Sequence, residues 1–76
     1  MRKKTTINER IVFYCKANRI KQVDLERAGY ASKQSINNIW HGRQKPACEF
    51  LERFISDNEN LNARWLLSGI GNMMES

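Results

Sequence analysis

The sequence predicts an all-α fold, a compact bundle of five short helices within one domain. Apolar residues recur at helical rather than alternating spacing, as Ile36 and Ile39 do. Capping residues and glycines bracket these segments, with Ser32 before this pair and Gly42 after it. A chain of 76 residues is enough for one small domain that folds without disulfides if its core is mainly helical.

The first helix is predicted to begin after Thr6 and to end in the basic run 16–19. Thr6 and Glu9 have the spacing of a capping box, in which each side chain accepts a hydrogen bond from the other residue's backbone. Ile20 is expected to pack back into the core. The inner face of the helix is expected to carry Ile7, Ile11 and either Tyr14 or Cys15.

The second and third helices are predicted to follow closely, separated by a tight corner. Gln22 opens the second helix, and Gly29 breaks it because glycine adopts positive φ without steric cost. Ser32 is a good N-cap for the third helix, which runs to a stop at Gly42. Its buried side is expected to hold Ile36, Ile39 and, at its margin, Trp40.

Two further helices are predicted after this pair. Pro46 is expected to be the first residue of the fourth helix, which ends at Ser56. Its outer face would carry an i,i+4 ion pair between Glu49 and Arg53. Its inner face would carry Phe50, Leu51, Phe54 and Ile55.

The fifth helix is predicted to follow a turn at residues 57–60. Asn62 is expected to cap it, and Trp65 and Leu66 to close the core. Leu67 or Ile70 is expected at the surface, and Gly69 and Gly71 to end the helix.

The charge distribution predicts a polyanionic partner. Lys and Arg number 13 against 8 Asp and Glu. Residues 1–45 carry a net charge of +8, whereas residues 46–76 carry −3. A domain with one basic side is suited to nucleic acid. No membrane span, secretory signal or basic amphipathic helix is recognisable, so we expect a cytoplasmic protein without a membrane partner.

The chemistry-bearing residues do not predict an enzyme or a metal site. Cys15 and Cys48 have no disulfide framework or Cys-x-x-Cys pattern, and we expect both to be small buried or half-buried hydrophobes. His41, the single histidine, has no nucleophile or acid at a useful spacing. We therefore expect no catalytic residues, no metal and no cofactor.

The exposed side of the third helix is unusual in composition. It gathers amides, a histidine, a serine and a lysine, where ordinary exposed helices favour Glu, Lys and Arg. Side-chain amides carry both a donor and an acceptor, which suits the base edges of a DNA major groove. A merely polar surface is the alternative interpretation of the same residues: Lys33, Gln34, Ser35, Asn37, Asn38 and His41.

The chain resembles the lambda-repressor-like helix-turn-helix domains, and among them the phage-type repressors. The resemblance extends from about Glu9 to Met73, and it depends on the joint order and spacing of several common elements. These are Ile11, Gln22-x-x-Leu25, Ser32, Ile36-x-x-Ile39-x-x-Gly42, Pro46, Leu51 and Trp65-Leu66-Leu67-x-Gly69-x-Gly71. The resemblance implies a helix-turn-helix DNA-binding domain over residues 6–71, between a flexible basic arm at 1–5 and the start of a C-terminal tail or linker at 72–76.

The resemblance also implies which residues contact DNA. The recognition helix, residues 32–41, would lie in the major groove and read bases through Lys33, Gln34, Ser35, Asn37, Asn38 and His41. Phosphate contacts would come from Lys21, Gln22, Ser32, Arg43 and Lys45, and from Arg2, Lys3 and Lys4 of the arm. Two alternatives stay open. Gln22 could be an ordinary exposed residue at a helix start, and the arm could be only a solubilising terminus.

The sequence departs from the family pattern at three places. Glu26 stands where a small residue usually follows Leu25. Tyr30 occupies the usual position of the corner glycine, and Gly29 comes one residue early. Trp40 stands where an acidic residue is common.

The expected function is sequence-specific binding of double-stranded DNA by a transcriptional repressor of phage or prophage type. Such a repressor would bind a near-palindromic operator as a homodimer, and family members often carry a further C-terminal domain for dimerisation and regulation. A protein-interaction module that retains the fold, such as an antitoxin or a phage adaptor, is the alternative. An acidic or apolar recognition helix would have favoured that alternative. RNA binding is disfavoured because no exposed aromatic stacking platform is recognisable.

Overall fold

Five α-helices make up most of the chain in the computed structural model, which describes residues 5–75. They are α1 (Ile7–Ala17), α2 (Gln22–Arg27), α3 (Lys33–Trp40), α4 (Cys48–Asp57) and α5 (Ala63–Ser68). No strand occurs within residues 5–75, where Leu61 and Met74 form an isolated antiparallel bridge. The radius of gyration is 11.8 Å, close to the ~11 Å expected of a compact chain of this length. The predicted all-α architecture of five helices is confirmed.

Side-chain caps fix three of the predicted helix starts. Thr6 Oγ1 accepts from the backbone N of Glu9 at 3.1 Å, and Glu9 Oε1 accepts from the backbone N of Thr6 at 3.0 Å. Ser32 Oγ accepts from a backbone N–H in the first turn of α3. Asn62 Oδ1 does the same for α5. Each cap satisfies N–H groups that have no partner within their own helix.

The corner after α2 is formed by Gly29, as predicted. Gly29 has a φ of +79°, and its N–H donates to the carbonyl of Glu26 at 3.0 Å. The N–H of Tyr30 donates to the carbonyl of Leu25 at 3.1 Å. These two bonds form a Schellman motif, which ends a helix at a left-handed residue. Tyr30 is thereby free to pack, and its ring centroid lies 5.3 Å from that of Phe50 on α4.

The start of α4 differs from the prediction. Pro46 does not begin the helix, which starts at Cys48. The reason is that Ala47 between them is extended, with a ψ of 159°, and serves as the N-cap. Cys48 is exposed and not buried as expected, since it lies in the first turn while the inner face begins at Phe50. Cys15 is buried as expected, and burial raises the pKa of its thiol to about 12.

The predicted ion pair on α4 is also wrong. Arg53 pairs with Asp57, one turn later, instead of Glu49, with 3.3 Å between Nε and Oδ2. The guanidinium lies over the ring of Tyr30, 4.4 Å from its centroid. Tyr30 donates its hydroxyl hydrogen to the same Asp57 carboxylate. The aromatic ring of the corner therefore selects the side of α4 toward which Arg53 turns.

All five helices contribute to one core. Both Tyr14 and Cys15 are buried in it, where the sequence left the choice open. Trp65 was expected to close the core but is only half-buried against it, and its neighbour Leu66 is fully buried instead. The buried apolar residues are Ile11, Tyr14, Cys15, Leu25, Ile36, Ile39, Phe50, Phe54, Leu61 and Leu66.

The segment after α5 folds back along the chain. The N–H of Asn62 donates to the carbonyl of Met73 at 3.0 Å, and the N–H of Glu75 donates to the carbonyl of Asn60 at 2.7 Å. The sequence did not predict this pairing within residues expected to begin a tail. Leu67 and Ile70 are both exposed.

Candidate nucleic-acid interface

The amphipathic character of α3 decides which of its side chains reach the surface. Ile36 and Ile39 are buried against the core, so the opposite side of the helix faces outward. The six predicted base-reading residues all retain accessible surface there. Lys33, Gln34 and His41 are exposed, and Ser35, Asn37 and Asn38 are half-exposed.

The first turn of α3 borders a shallow groove shared with α2. Lys33 and Gln34 line this groove, and Gln22, the first residue of α2, lies across from them. Asn37 Nδ2 donates to Gln22 Oε1 at 3.3 Å and thereby connects the two helices at their outer surface. Glu26 contributes the one carboxylate that lines this groove, and α3 itself carries no acidic residue.

Arg43 returns over α3 although its backbone lies beyond the helix. Its Nη2 donates to Asn37 Oδ1 at 2.8 Å, and its Nε donates to Asn38 Oδ1 at 3.3 Å. Gly42, with a φ of +76°, reverses the chain so that the N–H of Arg43 donates to the carbonyl of Asn38 at 2.8 Å. The sequence prediction had Arg43 off the helix. The structure instead brings its guanidinium onto the face that carries the two asparagines.

A second groove brings together cations that the sequence analysis did not single out. Lys16 and Arg19, from the end of α1, line it together with the predicted phosphate contacts Lys21 and Gln22. Trp40 forms part of its floor. The basic run 16–19 was interpreted only as a helix end, although its spacing from Lys21 was the available signal. A polyanion lying along α3 would meet these side chains next to Gln22.

A buried asparagine fixes the end of α3 and the loop after it. Asn8 on α1 is 7% exposed. Its Nδ2 donates to the carbonyl of Ile39 at 2.9 Å and to the carbonyl of Gln44 at 2.8 Å. The loop that carries Arg43 and Lys45 is therefore attached to α1 and does not depend on α3 alone.

Asn8→Ala should lower the free energy of unfolding by about 1–3 kcal/mol, because two backbone carbonyls lose their buried donor. Urea denaturation monitored by circular dichroism measures this change. Asn60→Ala is the matched control, since Asn60 is exposed in the turn before α5 and should change stability by less than about 0.5 kcal/mol. Equal effects of the two substitutions would contradict the role assigned to Asn8.

The remaining predicted contacts lie around this face. Ser32 and Lys45 are exposed, before and after α3 respectively. Arg2, Lys3 and Lys4 lie outside the described residues. The point where the arm joins the domain is fixed, because the buried Arg10 donates from Nη1 to the carbonyl of Thr5 at 2.7 Å and from Nε to the carbonyl of Leu66 at 2.8 Å.

The described residues offer no other obvious chemistry. Every buried side-chain nitrogen and oxygen within residues 5–75 has a hydrogen-bond partner. The same residues contain no group of three or more His, Cys, Asp or Glu side chains that could hold a metal ion. No helix between residues 5 and 75 is both long and apolar enough to cross a membrane. The polar groups that remain available are those at the surface, and they concentrate on α3 and the segments beside it.

Comparison with protein-family models, with curated proteins and with solved structures finds no match to this chain.

Proposed function

We propose that this chain binds double-stranded DNA in a sequence-specific manner, with α3 in the major groove, as a transcriptional repressor of phage or prophage type acting in the bacterial cytoplasm. One observation carries the proposal. The outward face of α3 presents amides and a lysine with no carboxylate on the helix, and cations from neighbouring segments lie beside it.

The major groove suits this face in both size and chemistry. The groove is about 12 Å wide and admits one α-helix, and each base pair shows a distinct pattern of donors and acceptors there. Gln34 projects from the exposed side of the first turn, opposite the buried Ile36 and Ile39. An amide in that position can donate to adenine N7 while it accepts from the N6 amino group.

Phosphate contacts would orient the helix in the groove. Lys16, Arg19, Lys21 and Gln22 lie together at the junction of α1 and α2. Lys45 extends from the loop after α3. Cations from both segments would meet the two sugar–phosphate walls of the groove, and each neutralised phosphate would release counterions.

The chain should bind DNA as two copies and yet be monomeric alone. One copy reads too few base pairs for useful specificity, so two copies should occupy a near-palindromic site with half-sites about one helical turn apart. Most apolar residues are committed to the core. The exceptions that could form a stable interface are Leu67, Ile70 and Met74, which are exposed, and the half-buried Met73. Sedimentation velocity at micromolar concentration tests this, and a tight dimer without DNA would contradict it.

Fluorescence anisotropy with a random duplex tests the proposal at its simplest level. The chain should bind at low salt, and the logarithm of its affinity should fall linearly with the logarithm of salt concentration, with a slope of about −0.9 for each phosphate contacted. A protein-interaction module that only retains the fold would show no such binding. Absence of binding at low salt would therefore reject the proposal.

A further inference from the structure

The side chain of Arg43 is held at both its base and its tip, which is unusual for an exposed arginine. At the base, the N–H of Arg43 donates to the carbonyl of Asn38 at 2.8 Å, within the turn made by Gly42. At the tip, Nη2 and Nε donate to Asn37 Oδ1 and Asn38 Oδ1 at 2.8 and 3.3 Å. An exposed arginine normally keeps its rotamer freedom, and ordering it in advance lowers the entropy cost of a later contact.

The hydrogen bonds of Asn37 leave its amide little capacity for reading a base. A guanidinium only donates, so oxygen atoms of the two asparagines must face it. The Nδ2 of Asn37 already donates to Gln22 Oε1 at 3.3 Å. Both ends of the Asn37 amide are therefore engaged within the protein, which suits a positioning residue better than a base-reading one.

The free edge of the Arg43 guanidinium remains available. Nε and one N–H of Nη2 point to the asparagines, and within residues 5–75 the N–H groups of Nη1 and the other N–H of Nη2 have no acceptor. These remaining groups form a fork that matches a planar pair of acceptors. On the outer face of α3, which the proposed docking turns toward the base edges, the pair of that kind is O6 and N7 of guanine.

We infer that Arg43 reads a guanine in the major groove and is a specificity-determining residue, with Asn37 and Asn38 holding its guanidinium in place. The inference rests on the proposed function and assigns Arg43 a role beyond the phosphate contact expected from its position after the helix. The network from Gln22 through Asn37 to Arg43 would also connect a phosphate contact to a base contact across α2 and α3.

The test uses the DNA site that the unmodified chain selects from random duplexes, with each base pair replaced in turn. For the parent, replacing one G·C pair in each half-site should weaken binding about 10- to 100-fold, the range of a good bidentate contact. Arg43→Lys keeps the charge but loses the fork, and it should reduce that penalty to about threefold or less. Binding to random duplex and the salt slope should stay unchanged. Arg64→Lys, at an exposed arginine on α5, is the matched control and should leave every penalty intact.

Asn37→Ala tests the positioning role. It should reduce the penalty at the same G·C pair, leave the penalties at other positions unchanged, and have little further effect when combined with Arg43→Lys. A general loss of structure would instead lower affinity for all sequences and would appear in thermal melting.

Three outcomes would overturn the inference. The first is an Arg43→Lys variant that keeps the parental penalty at every base pair. The second is an Arg43→Ala variant that weakens random and selected duplexes equally and makes the salt slope shallower by about one unit, which is the behaviour of a phosphate contact. The third is a parent chain without any sequence preference, which would reject the proposed function as well, whereas the first two reject the inference alone.

Discussion

Phe54→Ala should lower the free energy of unfolding by about 3–5 kcal/mol, the usual cost of truncating a fully buried aromatic side chain. Phe54 has 0% exposure. Its ring stacks on Phe50 with centroids 5.8 Å apart and meets Tyr14 and Tyr30 edge-on at 5.7 and 6.1 Å. The substitution therefore removes the centre of an aromatic cluster that joins α1, the α2–α3 corner and α4. A loss of this size is comparable to the whole stability of many small domains.

Phe13→Ala is the matched control for this prediction. Phe13 lies on α1 and is 60% exposed, so its truncation should change stability by about 0.5 kcal/mol or less. Guanidinium chloride denaturation of the two variants and the parent measures both effects. Similar midpoints for the two variants would contradict the central position assigned to Phe54.

Gln34→Ala should weaken binding to the selected DNA site by about 1–3 kcal/mol, the value of a bidentate contact between an amide and adenine. Affinity for random duplex should hardly change, because Gln34 carries no charge and the phosphate contacts remain. The salt slope should also be unaffected. Anisotropy titrations on selected and random duplexes at several salt concentrations measure all three quantities.

Lys45→Ala provides the contrast. Lys45 is exposed in the loop after α3, where a cation is suited to the sugar–phosphate backbone. Its loss should weaken selected and random duplexes alike and make the log–log salt slope shallower by about 0.9. An equal loss of affinity for all sequences in the Gln34→Ala variant would mean that α3 does not read bases at this position.

Local features of the fold were predictable because their causes are local. The capping box of Thr6 and Glu9, the Ser32 and Asn62 caps and the stop at Gly29 depend on residues a few positions apart. Helical periodicity likewise indicated the buried side of α3, since one side of a helix must face the core.

Contacts between distant segments were not predictable from these patterns. Arg53 has acidic residues one turn away on both sides, and the ring of Tyr30, far away in sequence, decides between them. The pairing of residues 60–62 with 73–75 depends on where α5 leaves the chain. The choice between Trp65 and Leu66 at the core depends on the rotation of α5, which six residues do not specify.

The candidate site divides along the same line. The composition of the exposed face of α3 could be recognised from the sequence, because burial of Ile36 and Ile39 fixes which residues point outward. The return of Arg43 over that face depends on the left-handed turn at Gly42 and on side-chain rotamers. The approach of Arg19 to Lys21 and Gln22 depends on how α1 ends.

Selection of bound sequences from a pool of random duplexes, followed by sequencing, tests the central claim most directly. The account predicts enrichment of a near-palindromic site with two half-sites about one helical turn apart, because two copies would each place one α3 in the major groove. Binding that enriches no sequence over the starting pool would contradict it, since the exposed face of α3 would then contact DNA without reading it.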